Sequence, residues 1–249
     1  MMKKIMVLRV GKTIATGCFL AVLLMPNGVI AAEKKSWKVS ADLSLVSCNG
    51  NTKSLTVTSK SKFTYDWTKT GLELEAGGLG SQNNTGVIAE QYFSSEKVLW
   101  KWSERNYLFE KVRWDKNRFA GIKNRYDSSA GLGRQLIKSE KDNLIAELGG
   151  GYVIEEQEPS GDKEYAAGRA YTGYKHKLSE TANFEQSAEY LTNLKDANDY
   201  RINTVSSLTA AISTYFSLKL SYQWSKVNMP PVGFAENDTI TSASVIFNY

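Results

Sequence analysis

The chain has 249 residues, 42% of them hydrophobic and 23% charged, with 31 basic against 26 acidic side chains for a net charge of +5. That apolar content excludes a disordered chain, and two cysteines exclude a disulfide framework. Beyond residue 32 no stretch approaches the ~18 consecutive apolar residues of a membrane helix, so a helical span is excluded there.

The first 32 residues read as a cleaved secretory signal peptide. Lys3, Lys4, Arg9 and Lys12 form a basic start, Ile14 to Met25 a short apolar run, and Val29-Ile30-Ala31-Ala32 a small-residue cleavage site. Cleavage is expected after Ala32, with Ala31 as the alternative. Removing those four basic residues leaves 27 basic against 26 acidic side chains, a net of +1, so the charge gives no reason to expect nucleic-acid binding. Cys48 would be the one thiol left, placed in a loop beside Asn49-Gly50-Asn51.

From residue 36 on, the dominant pattern is alternation. Trp37, Val39, Ala41, Leu43 and Leu45 share one face, while Lys38, Ser40, Asp42 and Ser44 share the other. Next, Leu55, Val57, Phe63, Tyr65 and Trp67 oppose Thr56, Thr58, Lys60, Lys62, Thr64 and Asp66; Leu72, Leu74 and Ala76 then oppose Glu73 and Glu75. The segments 87–102, 105–114 and 120–138 alternate less cleanly, which predicts bulges. The pattern returns at Leu144–Glu155, Ala182–Leu194 and Phe216–Ser225. A period of two with one apolar face is a strand between two different media.

About twelve strands are predicted, at 36–47, 52–67, 70–80, 86–102, 105–114, 120–138, 142–157, 163–178, 181–195, 199–213, 215–228 and 238–249, an even number as in single-chain bacterial barrels. Short turns (Thr68-Lys69, Ser139–Asn143, Ser179–Thr181, Ser213-Thr214) alternate with longer loops (Ser81–Gly86, Glu155–Glu164, Lys195–Asn198, Asn228–Asp238). The fold class expected is therefore all-β, an antiparallel up-and-down transmembrane barrel over 33–249. Trp37, Trp67, Trp100, Trp102 and Trp224 fall near strand ends, where amphipathic rings suit a membrane interface.

The last strand alternates Thr241, Ala243, Val245, Phe247 and Tyr249 against Ser242, Ser244 and Asn248. It resembles the aromatic-ended closing strand of bacterial outer-membrane barrels, which implies that Val245, Phe247 and Tyr249 form an assembly signal. The Gly50-Asn51-Thr52 turn, the Asp115–Phe119–Gly121–Arg125 region, Ser129 to Gly133 and Leu148 to Tyr152 resemble, in that order, the family of salt-induced outer-membrane proteins, a domain of unknown function. The chain departs from it at Arg134, where such proteins often carry an aromatic. The resemblance implies an outer-membrane barrel tied to salt or envelope stress, and supplies no catalytic residues.

The polar faces point to a charged lumen holding Lys60, Lys62, Glu73, Glu75, Glu147, Glu185, Glu189, Arg201 and Lys219, with Lys38, Asp42, Asp66 and Glu155. A two-residue turn at Thr68-Lys69 would set Lys62 opposite Glu75. The lining carries both signs, so it reads as an ion-paired plug or a narrow passage. His176, the one histidine, has the parity of an outward interfacial residue. The acidic segment Glu155–Asp162 lacks the ligand spacing of a calcium loop. No cofactor, metal or catalytic residue is expected.

The expected function is a structural or narrow-pore outer-membrane barrel. The alternatives are an enzyme modifying lipid or lipopolysaccharide and a soluble periplasmic lipid-binding protein. Expected partners are outer-membrane lipids, lipopolysaccharide, the barrel-assembly machinery and periplasmic chaperones, with no nucleic acid. A monomer with both mature termini in the periplasm is expected.

Overall fold

A computed structural model describes residues 37–48, 54–83 and 86–248. The expected signal segment with Ala32, the expected Asn49–Thr52 turn and Tyr249 lie outside them. Twelve strands follow in order: β1 (Trp37–Cys48), β2 (Ser54–Asp66), β3 (Thr70–Asn83), β4 (Gly86–Lys101), β5 (Asn106–Asn117), β6 (Ile122–Lys138), β7 (Asp142–Gln157), β8 (Lys163–Lys177), β9 (Ala182–Asn193), β10 (Tyr200–Ala211), β11 (Phe216–Val227) and β12 (Asn237–Asn248). Each pairs antiparallel with its sequence neighbours. The sheet closes where β12 meets β1, Phe247 opposite Ala41 and Val245 opposite Leu43. Closure gives every strand a neighbour on both sides, the requirement for spanning a bilayer with strands.

The alternation resolves into an apolar outside and a polar inside. Leu45 and Leu148 are each 68% exposed, and Leu43, Val57, Leu208, Leu218, Leu220, Val245 and Phe247 lie bare on the same outer surface. Such a belt would be a liability in water and is the lipid-facing band of a membrane barrel. Aromatic rings flank it. Trp67, stacked on Tyr65 with ring centres 4.0 Å apart, lies with Trp37, Trp100 and Trp102 at one end, while Trp114 and Trp224 lie at the other. Two carboxylates interrupt the belt between these rings. Glu96 and Glu110 point outward, opposite Val112 and Val98 respectively, and among the described residues neither forms an ion pair.

At the end where β1 begins, the connections are tight. Trp67 donates its N–H to the Thr70 carbonyl at 2.9 Å, closing the two-residue Thr68-Lys69 hairpin and placing Lys62 opposite Glu75. The other four turns at this end share a device. Ser103, Ser139, Ser179 and Ser213 each accept, on the side-chain oxygen, the backbone N–H three residues on, at 2.9, 2.8, 3.0 and 3.2 Å. A serine hydroxyl in this role fixes a turn without demanding glycine.

The register shifts between Ser81 and Gln82, Asp115 and Asn117, Ile122 and Asn124, and Gln135 and Ile137. The last three fall in or beside the poorly alternating segments, where an extra residue flips the parity of the rest of the strand. Three expectations are corrected here. The backbone of Cys48 belongs to β1, paired with Ser54, and not to a loop. The connection after β3 is shorter than Ser81–Gly86, because β3 runs on to Asn83. The acidic loop begins only after Gln157, since Glu155 lies inside the barrel and is fully buried.

Candidate functional site

Of the thirteen charged side chains expected in the lumen, eleven sit on inward-facing positions with an ion-pair partner; Lys38 and Asp66 are exposed near the barrel end, Asp66 paired with Lys101. Lys62 Nζ reaches Glu73 Oε2 at 3.1 Å and Glu75 Oε1 at 3.0 Å, and Lys60 joins Glu75 at 3.0 Å. Lys219 meets Asp42 at 3.2 Å across the β11–β12–β1 seam, and Lys175 meets Glu185 at 2.7 Å. The deeper partners are not legible as such in the sequence. Glu147 is held by Lys97 at 2.5 Å and by Arg169 Nη1 at 2.9 Å; it also accepts the Tyr107 hydroxyl at 2.8 Å. Arg169 Nε continues to Glu189 Oε1 at 2.6 Å, and Lys111 closes on the same oxygen at 2.8 Å. The chain Lys97–Glu147–Arg169–Glu189–Lys111 crosses the lumen between β4, β5, β7, β8 and β9.

A second knot lies nearer the other end. Glu155 accepts Arg201 Nη2 at 2.7 and 2.6 Å and receives a further hydrogen bond from Gln157. Arg125 Nη2 binds Asp127 at 3.0 Å. Arg125 Nε approaches Glu155 Oε2 at 3.3 Å, close enough for an ion pair but too poorly aligned for a hydrogen bond. Arg113 grips Asp115 through Nε and Nη2 and lies over the Phe93 ring, 4.7 Å from its centre.

Glycine makes this packing possible on β6 and β7. Gly131, Gly149 and Gly151 face inward, and a Cβ on Gly151 would fall on the Ser128 carbonyl. Phe109, 1% exposed, occupies the space so freed beside Gly149. The Arg169 guanidinium lies 5.1 Å from the ring centres of both Phe109 and Tyr171, a cation–π sandwich that keeps its charge over aromatic faces where water is excluded.

The opposite wall is different. Asn203, Ser221, Gln223, Ser225, Ser242 and Ser244 present hydroxyls and amides, bonded mainly to one another, as Ser221 is to Ser242 at 2.7 Å. Between the walls remains a cavity of about 470 Å³. Eight basic and seven acidic side chains border it, and only Asp238 among them lacks an ion-pair partner in the described residues, so its net field is small.

A strap crosses the end away from the serine turns. The β11–β12 connection, 228–236, leaves one side of the barrel and latches onto the other. Val232 N–H donates to Ser160 Oγ at 2.8 Å, and the Phe234 ring sits against Gly121. Gly121 has φ +69° and no room for a Cβ, so both its backbone and its contact require glycine. At its base, Asn228 donates its backbone N–H to Tyr200 and its amide to Asn198 O at 2.9 Å.

His176 lies on the outer face at the serine-turn end. Its Nδ1 is 2.7 Å from Asp142 Oδ1, the oxygen that also accepts the Tyr174 hydroxyl at 2.6 Å. Among the described residues, no hydroxyl or thiol hydrogen-bonds the ring, which is the contact a nucleophilic dyad requires. No set of three metal-ligating side chains occurs among the described residues either.

A closed twelve-stranded sheet, a bare apolar belt between aromatic rings and a charged interior define an outer-membrane β-barrel. The chain belongs to the family described as "Protein of unknown function, DUF481", which matches residues 41–249. It is 25% identical over 207 residues to the uncharacterized protein YdiY of Escherichia coli (strain K12), covering 83% of this chain and 81% of that protein. Among solved structures it is similar to the COG4313 outer membrane channel from Pseudomonas putida F1, with TM-score 0.50 and 9% identity, covering 89% of this chain and 100% of that one. It is also similar to the translocator domain of the autotransporter NalP from Neisseria meningitidis, with TM-score 0.48 and 14% identity over 96% and 95% of the two chains. At such identities the likeness concerns the fold alone.

Proposed function

We propose that this barrel is a narrow outer-membrane channel whose paired interior charges restrict passage to small solutes. One observation carries the reading: the side chains leave a cavity of about 470 Å³ inside the barrel, where a purely structural plug would interlock throughout. The cavity carries no ring of one charge sign, so ion selectivity is expected to be weak. In this reading the strap faces the cell exterior and the serine turns face the periplasm, with both termini of the mature barrel on the periplasmic side.

Conductance of the refolded protein in planar bilayers, recorded in several salts, tests the channel. Small, weakly selective unitary currents are expected. A protein that inserts and stays silent with the strap latch removed by Phe234→Ala would overturn the reading. The envelope-stress role implied by the family resemblance is tested separately, by expression at raised salt.

For assembly, Phe247 and Val245 lie on the outer face of β12, available to be read before the strand pairs with β1. Deleting 247–249 is expected to leave the chain unassembled, measured by loss of heat-modifiable gel migration. Normal insertion of that truncation would remove these residues as a signal.

A further inference from the structure

The two walls of the cavity differ chemically, and the difference bears on what the cavity accepts. On the β4–β8 side, the charged groups are ion-paired and hydrogen-bonded mainly to charged partners, as Arg113 is to Asp115 and Arg169 to Glu189. Glu147 alone accepts from Lys97, Arg169 and Tyr107. On the β10–β12 side, hydroxyls and amides hold neutral bonds among themselves, such as Ser221 to Ser242 at 2.7 Å and Gln223 to Ser225 at 3.3 Å. Each hydroxyl can donate and accept, and each amide does both at separate atoms. This wall is free to trade its bonds for those of a guest.

An ion entering the cavity sheds water and finds fixed charges that, Asp238 apart, are already compensated. One unpaired carboxylate in a lining with eight basic side chains offers little counter-charge to offset the desolvation. A polyhydroxylated neutral molecule sheds water and recovers both donors and acceptors from the serine–amide wall. The volume falls in the ~300–1,000 Å³ range of small-molecule sites. The strap, latched at Ser160 and Gly121, limits what enters from its side.

We infer that the cavity under the strap is a binding and transit site for small uncharged polyhydroxylated solutes, of mono- to disaccharide size, held by Asn203, Ser221, Gln223, Ser225, Ser242 and Ser244. This rests on the channel reading and names its solute class. Uptake by proteoliposomes in a swelling assay tests it, with glucose, sucrose and raffinose as neutral probes of rising size and gluconate and glucosamine as charged ones of similar size.

Glucose is expected to enter roughly tenfold faster than either charged analogue, the factor that ~1.4 kcal/mol of additional barrier produces. Sucrose should enter more slowly and raffinose not at all. Phe234→Ala, which frees the strap, should raise the sucrose rate. Ser221→Leu combined with Ser242→Leu should abolish neutral-solute entry, with heat-modifiable migration confirming that the variant folds. Should that pair misfold, Ser221→Ala with Ser242→Ala replaces it, and a slower glucose rate is the expected result. Charged analogues entering as fast as glucose, or neutral uptake indifferent to the serine wall, would overturn the solute class while leaving the channel. No swelling with any probe, together with silence in bilayers, would overturn the channel itself.

Discussion

The two halves of the interior are built from the same strand geometry and opposite packing strategies. On β5–β8 the inward positions carry Tyr107, Phe109, Arg125, Glu147, Glu155 and Arg169, interlocked and mostly buried, with glycines opposite to make room. On β10–β12 they carry mainly serine, asparagine and glutamine around open space, with Val205, Lys219, Val227, Asp238 and Ile240 among them. The first half is rigid because each charge depends on others several strands away. The second is soft because its groups are short, neutral and replaceable by water. A narrow barrel thus sets a wall that holds its shape against a wall whose groups can exchange partners.

Substitutions that strike each half separately should break this contrast. The largest effect is expected at Glu147→Gln, which strands Lys97 and leaves Arg169 with Glu189 alone in a buried site. A loss of ~3–5 kcal/mol is expected, as when one partner of a buried ion pair is removed, read from urea unfolding in lipid vesicles. Gly151→Ala comes next: its Cβ meets the Ser128 carbonyl, and overpacking of that kind costs about 1–3 kcal/mol. The same denaturation curves measure it. On the soft wall, Ser242→Ala removes one exchangeable hydrogen bond and should cost at most ~1 kcal/mol. A loss there equal to that at Glu147 would abolish the distinction between the walls. Lys219→Met should barely move the denaturation midpoint, but it leaves Asp42 uncompensated, so reversal potentials should shift toward cation selectivity. The smallest effect has the opposite sign. Glu96→Leu and Glu110→Leu place apolar groups where lipid now meets carboxylates and should raise the midpoint slightly.

Much of this architecture is written in the alternation. The twelve strands, the inward charges and the Lys62–Glu75 register follow from parity and one two-residue turn. Parity stops being informative where bulges intervene. That is why Lys97, Lys111, Arg113, Arg125 and Asp127, all in or beside the irregular segments, are not placed in the lumen by the sequence. Arg169 escapes for another reason: on β8 it alternates with Gly168 and Ala170, small residues that give no apolar face to read. Pairings across the lumen, such as Lys97 with Glu147, join strands that are not neighbours, so no local rule reaches them. The repeated turn serines are visible, as Ser-Glu at 103, 139 and 179, and are meaningful only once the turns are aligned. The strap is legible as a long loop, but its landing place on Gly121 and Ser160 depends on the closed ring.

The seam between β1 and β12 has a consequence for the order of events in folding. Ten of the strands between them pair with chain neighbours and form as hairpins, each needing only a short loop to close. The seam joins Leu43 to Val245, residues from opposite ends of the barrel sequence, so its formation waits on the whole chain. Until then two strands carry unsatisfied edges, the hazard that a finished barrel abolishes. The register of this single pairing, shorter than that of any other neighbouring strands, decides whether twelve strands become a cylinder or an open, sticky ribbon. The seam is thus the one place where the barrel's edge hazard persists until the last strand is present.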